Sequence, residues 1–393
     1  MINVYNRRDK VLACFFDIAL RPFAFIVKLI RRQRYQMIGR QGVNRILVIR
    51  LDNIGDVVMT TPLIRELKKI FKNAKIDILV NPYAAQVIKS NPNISNIYPY
   101  YAFWFNRSHM LWDSFKEFIQ IIKILKRKRY DLVIEPRGDI RNILFAFILG
   151  TKRRLGFNRT GGSYMLTDVL DYKPGKHFIR HQQDLLTYLD NAKNYEDYTE
   201  VFETEYGSIE AREVYNQLKI NDGKKIAAIF PCSKYSSKEW PEEKFADICS
   251  FLNRELGFLP VIFGMKKEFD KCEHIKNLSG KDTVNLAGKL SISGLISFLK
   301  RCKLVISNDS APAHIAGALD LPLVVIWSAM DYNISAPHHK DKRKMRLVYK
   351  TLSCSFCNSI KILPKKCRKR KHPECVQTIE VKDVISAIKE VNI

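Results

Sequence analysis

Three stretches of this chain carry residues whose types and spacing could do chemistry. Asp56 follows a glycine in R-L-D-N-I-G-D-V-V-M-T-T-P, directly behind an apolar, β-branched run. A carboxylate in such a strand-to-helix connection can take a proton from a hydroxyl. It can equally serve a helix start, as can Thr61-Pro62 just downstream. A second stretch, F-P-C-S-K-Y-S-S-K-E-W-P (230–241), offers Lys234 and Lys238 to an anion, with Trp240-Pro241 marking the next helix. The alternative is a solvated basic loop in which Trp240 packs inward. In the third, I-S-N-D-S-A-P-A-H (306–314), Asp309 and Ser310 end a strand and Pro312 opens a helix of small residues. A helix N-terminus presents free N–H groups and partial positive charge, which suits a diphosphate. His314 lies one turn in. Asp309 or Ser310 as a cap, with His314 in a structural hydrogen bond, fits the same residues.

A fourth set is spaced for metal. Cys354, Cys357, Cys367 and Cys375 form C-x2-C-x9-C-x7-C inside a basic segment. The first pair is a good zinc half-site, and four thiolates would make a closed, structural site. Free thiols are the alternative; disulfides fit a cytoplasmic protein badly.

The elements that must position these residues alternate. Strand-like runs at 45–51, 75–80 and 130–136 are separated by helical spacing at 61–71 and 111–128, and a buried helix at 141–150 ends on Gly150. After a polar stretch at 190–223 the alternation restarts. Strands are expected at 225–230, 259–264, 283–288, 303–309 and 322–328, with helices between them. Two such runs imply two doubly wound α/β domains, in which ligands bind outside the carboxyl ends of the strands. The candidate residues all fall just after strands. The expected division is a basic amphipathic extension at 1–43, a first domain at 44–205, a second at 222–376 that includes the Cys-bearing segment 340–376, and a last helix within 377–393.

Composition narrows the classes. The 393 residues carry 66 Lys and Arg against 40 Asp and Glu, for a net charge of +26, with 46% hydrophobic residues. Disorder and a disulfide scaffold are excluded by this balance. The most apolar stretch, 11–30, contains Asp17, Arg21, Pro22 and Lys28, so it is neither a spanning helix nor a good signal peptide. The charge is concentrated: residues 1–50 hold 11 basic against 2 acidic residues, and residues 340–371 hold 13 against 1. Anionic lipid, nucleic acid and acidic glycan all suit such segments. In 1–43 basic residues alternate with bulky apolar ones. One or two helices broken near Pro22 and lying in a membrane interface are expected, packing on the protein's own body being the alternative. The dinucleotide and triphosphate fingerprints G-x-G-x-x-G and G-x-x-x-x-G-K-[ST] are absent at these loops.

Over about residues 44–393 the chain resembles the family 9 glycosyltransferases, the heptosyltransferase-like enzymes of lipopolysaccharide synthesis. The resemblance rests on ordered motifs: R-I-L-V-I-R-L-D-N-I-G-D, Y-D-L-V-I-E-P-R-G-D-I-R-N, R-R-L-G-F-N-R-T-G-G, S-K-E-W-P and V-I-S-N-D-S-A-P-A-H. It implies the GT-B arrangement of two Rossmann-like domains facing across a cleft, and inverting transfer from a nucleotide-diphosphate sugar. Asp56 would be the general base. Lys238 would neutralise the leaving diphosphate, backbone N–H groups around Ser310, Ala311 and Ala313 would hold it, and Asp309 and His314 would shape its pocket. No cofactor is required, a structural zinc aside. The donor is expected to be ADP-linked heptose and the acceptor a lipopolysaccharide-core or related lipid-linked glycan. The enzyme is expected to be peripheral on the cytoplasmic face of the inner membrane. Two positions depart from the family. Ala311 stands where glycine is usual, and Lys266 stands where a ribose-binding carboxylate is expected, with Glu268 two residues on. A sugar-nucleotide epimerase or hydrolase on the same fold, and a zinc-knuckle nucleic-acid-binding protein, are the alternatives.

Overall fold

The computed structural model describes residues 14–15, 17–26, 42–102, 111–192, 194–218, 223–328, 330–355 and 373–391. It divides into two units, Met1–Asp197 and Tyr198–Ile393. Residues 198–205, expected at the end of the first domain, group with the second.

The first unit is a sheet of six parallel strands: β1 (Arg45–Arg50), β2 (Lys75–Val80), β3 (Asn96–Pro99), β4 (Leu132–Glu135), β5 (Arg153–Phe157) and β6 (Asp168–Leu170), in the order β3-β2-β1-β4-β5-β6. β1 sits at the centre, with Ile46 paired to Ile76 on one side and Leu132 on the other. That position explains its composition: a parallel strand covered on both faces must be apolar almost throughout.

The second unit repeats the plan with β7 (Ile226–Phe230), β8 (Leu259–Ile262), β9 (Val284–Asn285), β10 (Leu304–Asn308), β11 (Leu323–Ile326) and β12 (Met345–Val348), in the order β12-β11-β10-β7-β8-β9. Counted from its own first strand, each sheet reads 3-2-1-4-5-6, the Rossmann order. The order reverses between β1 and β4 in one unit and between β7 and β10 in the other. These are the crevices where such sheets hold ligands.

Strands β3, β5, β6 and β12 escape the sequence pattern. The edge strands β3, β6 and β12 are short and largely unburied, so they need few apolar residues.

The amino-terminal stretch corrects one expectation. Residues 17–26 form a helix that runs through Pro22 without a break. It is held on both sides of the proline. Asp17 Oδ1 accepts the Gly162 amide at 2.5 Å, and Ala24 is buried against Ile140, Ile143, Phe147 and Met165.

Candidate active site

In the first unit the chain leaves β1 through Leu51, Asp52 and Asn53 into α1 (Ile54–Val58), whose first turn carries Asp56. Asn53 occupies the cap position, so Asp56 is not the N-cap. The Asp56 carboxylate is partly exposed. Arg50 N–H reaches its Oδ1 at 3.5 Å, and the Asn53 amide donates to Oδ2 at 3.4 Å. Arg50 is the last residue of β1 and is buried, an expensive position for a charge unless it is paired. It also pairs with buried Asp52 at 3.3 Å, and Asp52 in turn pairs with Arg137 from the loop after β4. Burial pulls the Arg50 guanidinium below its ordinary range, while Asp56 and Glu135 oppose that shift.

Sequence reasoning missed this layer. Arg50, Asp52, Glu135 and Arg137 lie at the ends of β1 and β4, the two strands of the switch point. The available signal was charged residues closing otherwise apolar strands. Glu135 is fully buried and accepts the amides of Gly138 at 2.5 Å and Asp139 at 3.1 Å, and the Asn142 side-chain amide at 3.1 Å. Burial, followed by the nearby Asp139 charge, pushes its carboxyl up to about 7 despite these donors. Asp139 moves the other way, down to about 2. Burial pushes it up, but the Arg141 hydrogen bond and the charges of Arg137 and Arg141 outweigh that effect. Gly138 has φ +70°, and a Cβ there would meet Arg159 Cβ at 2.6 Å. Only glycine lets the loops after β4 and β5 approach so closely.

In the second unit, Lys238 and Asp309 come together. Lys238 Nζ lies 2.6 Å from Asp309 Oδ2, with the two side chains 14% and 7% exposed. The Ser328 hydroxyl donates to the same oxygen at 3.3 Å. Asp309 thus does more than shape a pocket wall, because it sets where the ammonium sits. Asn308 ties the two strand ends together. Its side chain accepts the Trp240 amide at 3.2 Å and donates to the Pro231 carbonyl at 2.7 Å. Trp240 is buried and its indole N–H donates to the Ile379 carbonyl at 3.0 Å.

Ser310 is the N-cap residue of the helix Ala311–Ala318, yet its side chain makes no capping hydrogen bond among the described residues. Its hydroxyl lies 3.3 Å from that of Ser307. The Ala313 amide donates to the Ser310 carbonyl at 3.2 Å, so of the three positions expected to hold a diphosphate, that one is already engaged. His314 is buried on the same helix. Lys234 is on the same loop as Lys238, with its ammonium 5.8 Å from the Tyr235 ring. At the end of β8, Glu268 folds back to accept the Met265 amide at 2.8 Å. Gly288, with φ +73°, lets Lys266 pack against it, since a Cβ there would lie 2.7 Å from Lys266 Cα.

Of the four cysteines, Cys354 and Cys375 are half-buried, and Cys357 and Cys367 lie outside the described residues. Among the described residues no group of three or more His, Cys, Asp or Glu side chains could hold a metal. The expected structural zinc has no support.

The family model for glycosyltransferase family 9 (heptosyltransferase) matches residues 118–361. The chain belongs to glycosyltransferase family 9. As a family 9 protein it is a glycosyltransferase. It is 24% identical to "Lipopolysaccharide heptosyltransferase 1" of Campylobacter coli, over 88% of this chain and 98% of that one. Its fold matches a solved family 9 glycosyltransferase from Veillonella parvula, with TM-score 0.74 and 21% identity over 88% of this chain and 96% of the other. It also matches the solved E. coli ADP-heptose lps heptosyltransferase II, with TM-score 0.68 and 18% identity over 88% and 97%. Both units are the Rossmann-like domains of the GT-B fold.

Proposed function

We propose that this family 9 enzyme transfers heptose, with inversion, from an ADP-linked donor to a lipopolysaccharide-core acceptor. One observation carries the reading. Each sheet presents the required group at its own switch point: a carboxylate, Asp56, after β1, and a paired ammonium, Lys238, after β7. Asp56 removes the proton from an acceptor hydroxyl. That oxygen attacks the anomeric carbon while the bond from that carbon to the nucleotide diphosphate breaks. The diphosphate leaves with the electron pair, and Lys238 with the Ser310 and Ala311 amides at the helix start offsets its charge. Arg50 holds the Asp56 carboxylate in one orientation. Glu268 is the carboxylate available to the donor ribose, two residues past the expected place.

Heptose and ADP follow the names of the relatives, and the half-buried Lys238, held in place by Asp309, suits a diphosphate leaving group. The basic segments at 1–50 and 340–371 support a peripheral position on the cytoplasmic face of the inner membrane. Among the described residues no helix is long and apolar enough to cross a membrane. The family match favours neither the epimerase or hydrolase reading nor the nucleic-acid one.

The test is transfer by purified protein from ADP-heptose to heptose-free core acceptor, beside Asp56→Asn. Turnover by Asp56→Asn should fall by about 10²–10⁴-fold, the range for losing a general base, with ADP binding retained. Wild-type-like turnover by this variant removes Asp56 as the base. Stabilisation by UDP or GDP and not by ADP keeps the transferase class and discards ADP-heptose.

A further inference from the structure

The amino-terminal helix over 17–26 has two different faces. Asp17, Leu20 and Ala24, at helical spacing, pack onto the first unit. Asp17 is the clip. Its carboxylate accepts the Gly162 amide, and its backbone carbonyl accepts the Tyr164 hydroxyl at 2.8 Å. A Cβ at Gly161, which has φ +102°, would lie 2.8 Å from Asp17 Oδ1, so the glycine pair is shaped around this side chain. The opposite face is apolar and open. Ile18 is 67% exposed, Phe25 69% and Ile26 54%, with Arg21 exposed beside them and Phe15 68% exposed at the helix start.

An exposed cluster of large apolar side chains on a soluble body marks an interaction surface. The flanking sequence indicates which kind. Residues 1–50 carry 11 Lys and Arg against 2 Asp, including Lys28, Arg31, Arg32 and Arg34 further along the sequence. Bulky apolar residues with a high local excess of Lys and Arg suit an interfacial helix on anionic lipid.

The clip gives this face a fixed bearing on the active site. Gly161 and Gly162 end the loop after β5. In that loop the Thr160 amide donates to the Gly138 carbonyl at 3.0 Å, which joins it to the loop after β4. That second loop sends Arg137 to Asp52, and Asp52 pairs with Arg50, which holds Asp56. A chain of direct contacts therefore runs from the helix to the proposed base, all at the carboxyl edge of one sheet.

We infer that the helix over 17–26 is a docking element for anionic phospholipid. We further infer that the Asp17 clip makes docking present the Asp56 edge of the first unit to acceptors seated in that bilayer. The orientation part rests on the acceptor reading above; the docking part does not.

The experiment uses the full chain and vesicles containing phosphatidylglycerol, with phosphatidylcholine vesicles as the comparison. The wild type should co-sediment with the former and only weakly with the latter. The double variant Ile18→Ser/Phe25→Ser should lose at least about tenfold in partitioning, since each side chain gives up most of its apolar burial, with no change in melting temperature. Unchanged partitioning, or no binding by the wild type, overturns the docking face. A wild-type dimer that Ile18→Ser/Phe25→Ser converts to monomer, without vesicle binding, overturns it in favour of a second copy of this chain. Asp17→Ala tests the bearing. It should still bind vesicles, turn over a water-soluble truncated acceptor normally, and lose transfer to the same acceptor embedded in vesicles severalfold. Equal loss on both acceptors, or none on either, overturns the orientation. Vesicle binding needs no sugar transfer, so failure of the acceptor reading and failure of the docking face remain distinguishable.

Discussion

Replacing Lys238 with Met keeps most of the length of the side chain and deletes its charge. Asp309 then stays 7% exposed and loses its cation at 2.6 Å, and keeps the Ser328 hydroxyl at 3.3 Å. Breaking a buried ion pair from one side costs about 3–5 kcal/mol, because the remaining charge stays desolvated. The surviving hydroxyl and the residual exposure favour the lower end, about 3 kcal/mol. For a unit the size of Tyr198–Ile393, each kcal/mol moves the melting temperature by roughly 2–4 °C, so Lys238→Met should melt about 6–12 °C lower. Lys238→Met/Asp309→Asn removes the stranded charge and should recover most of that loss. Function should separate the two variants from stability. Both lack the ammonium, so both should bind ADP at least about tenfold more weakly, the scale of one lost charge-assisted hydrogen bond. The assays are calorimetry of the second unit's transition and titration with ADP. A Lys238→Met protein that melts within about 2 °C of wild type would refute the buried-pair reasoning. Wild-type ADP affinity in the double variant would refute the role of Lys238 at the diphosphate.

Glu135 gives a pH prediction. Its folded-state value, near 7, lies above the ordinary 4.5, so the folded state holds the proton more tightly than the unfolded one. Its stabilising contribution is therefore full below about 4.5 and is lost as pH rises through 7, a change of about 3 kcal/mol. Urea unfolding of wild type should show that decline, and Glu135→Gln should flatten it; equal slopes in both proteins would refute the assignment. Gly138→Ala should destabilise the first unit by about 2–4 kcal/mol, from left-handed strain and the 2.6 Å approach to Arg159, and an unchanged denaturation midpoint would show that the loops can part. Trp240→Phe keeps an aromatic ring against Phe245 but leaves part of the buried volume empty and drops the indole bond to Ile379. It should cost at least about 1 kcal/mol and raise the exchange rate of amides at 236–240, measured by hydrogen exchange.

The fold was legible because central parallel strands leave a dense apolar trace. β1, β2, β4 and all strands of the second unit except β12 stand out as runs bounded by polar turns. β3, β6 and β12 did not, since edge strands half in solvent need few apolar residues, and their pairing is decided by neighbours distant in the chain. The positions of Asp56, Lys238, Asp309 and Ser310 at strand ends were legible from pattern. The contacts that give them character were not. Lys238 meets Asp309 across 71 residues of sequence, and Arg50 reads as one more strand residue until its burial against Asp52 and Asp56 is seen. Pro22 misled because local propensity predicts a break, whereas Asp17 and Ala24 fix the helix on either side of it. The zinc expectation rests on spacing alone, and spacing says nothing about whether four thiols meet.

Trp240 bears on the order of events during synthesis. The loop that carries Lys238 is closed by a carbonyl 139 residues further along, at Ile379, and Val376, Ile379, Val384 and Ile388 complete the hydrophobic core beneath it. A ribosome therefore makes the loop, β8, β9, β10, β11 and β12 before it makes the segment that seals them. Until residue 379 emerges, the Trp240 indole N–H has no Ile379 carbonyl to bond, and the side of the core that Val376, Ile379, Val384 and Ile388 close stays open. The nascent second half passes through a long interval with apolar surface open to chaperones, while the first half can already be complete.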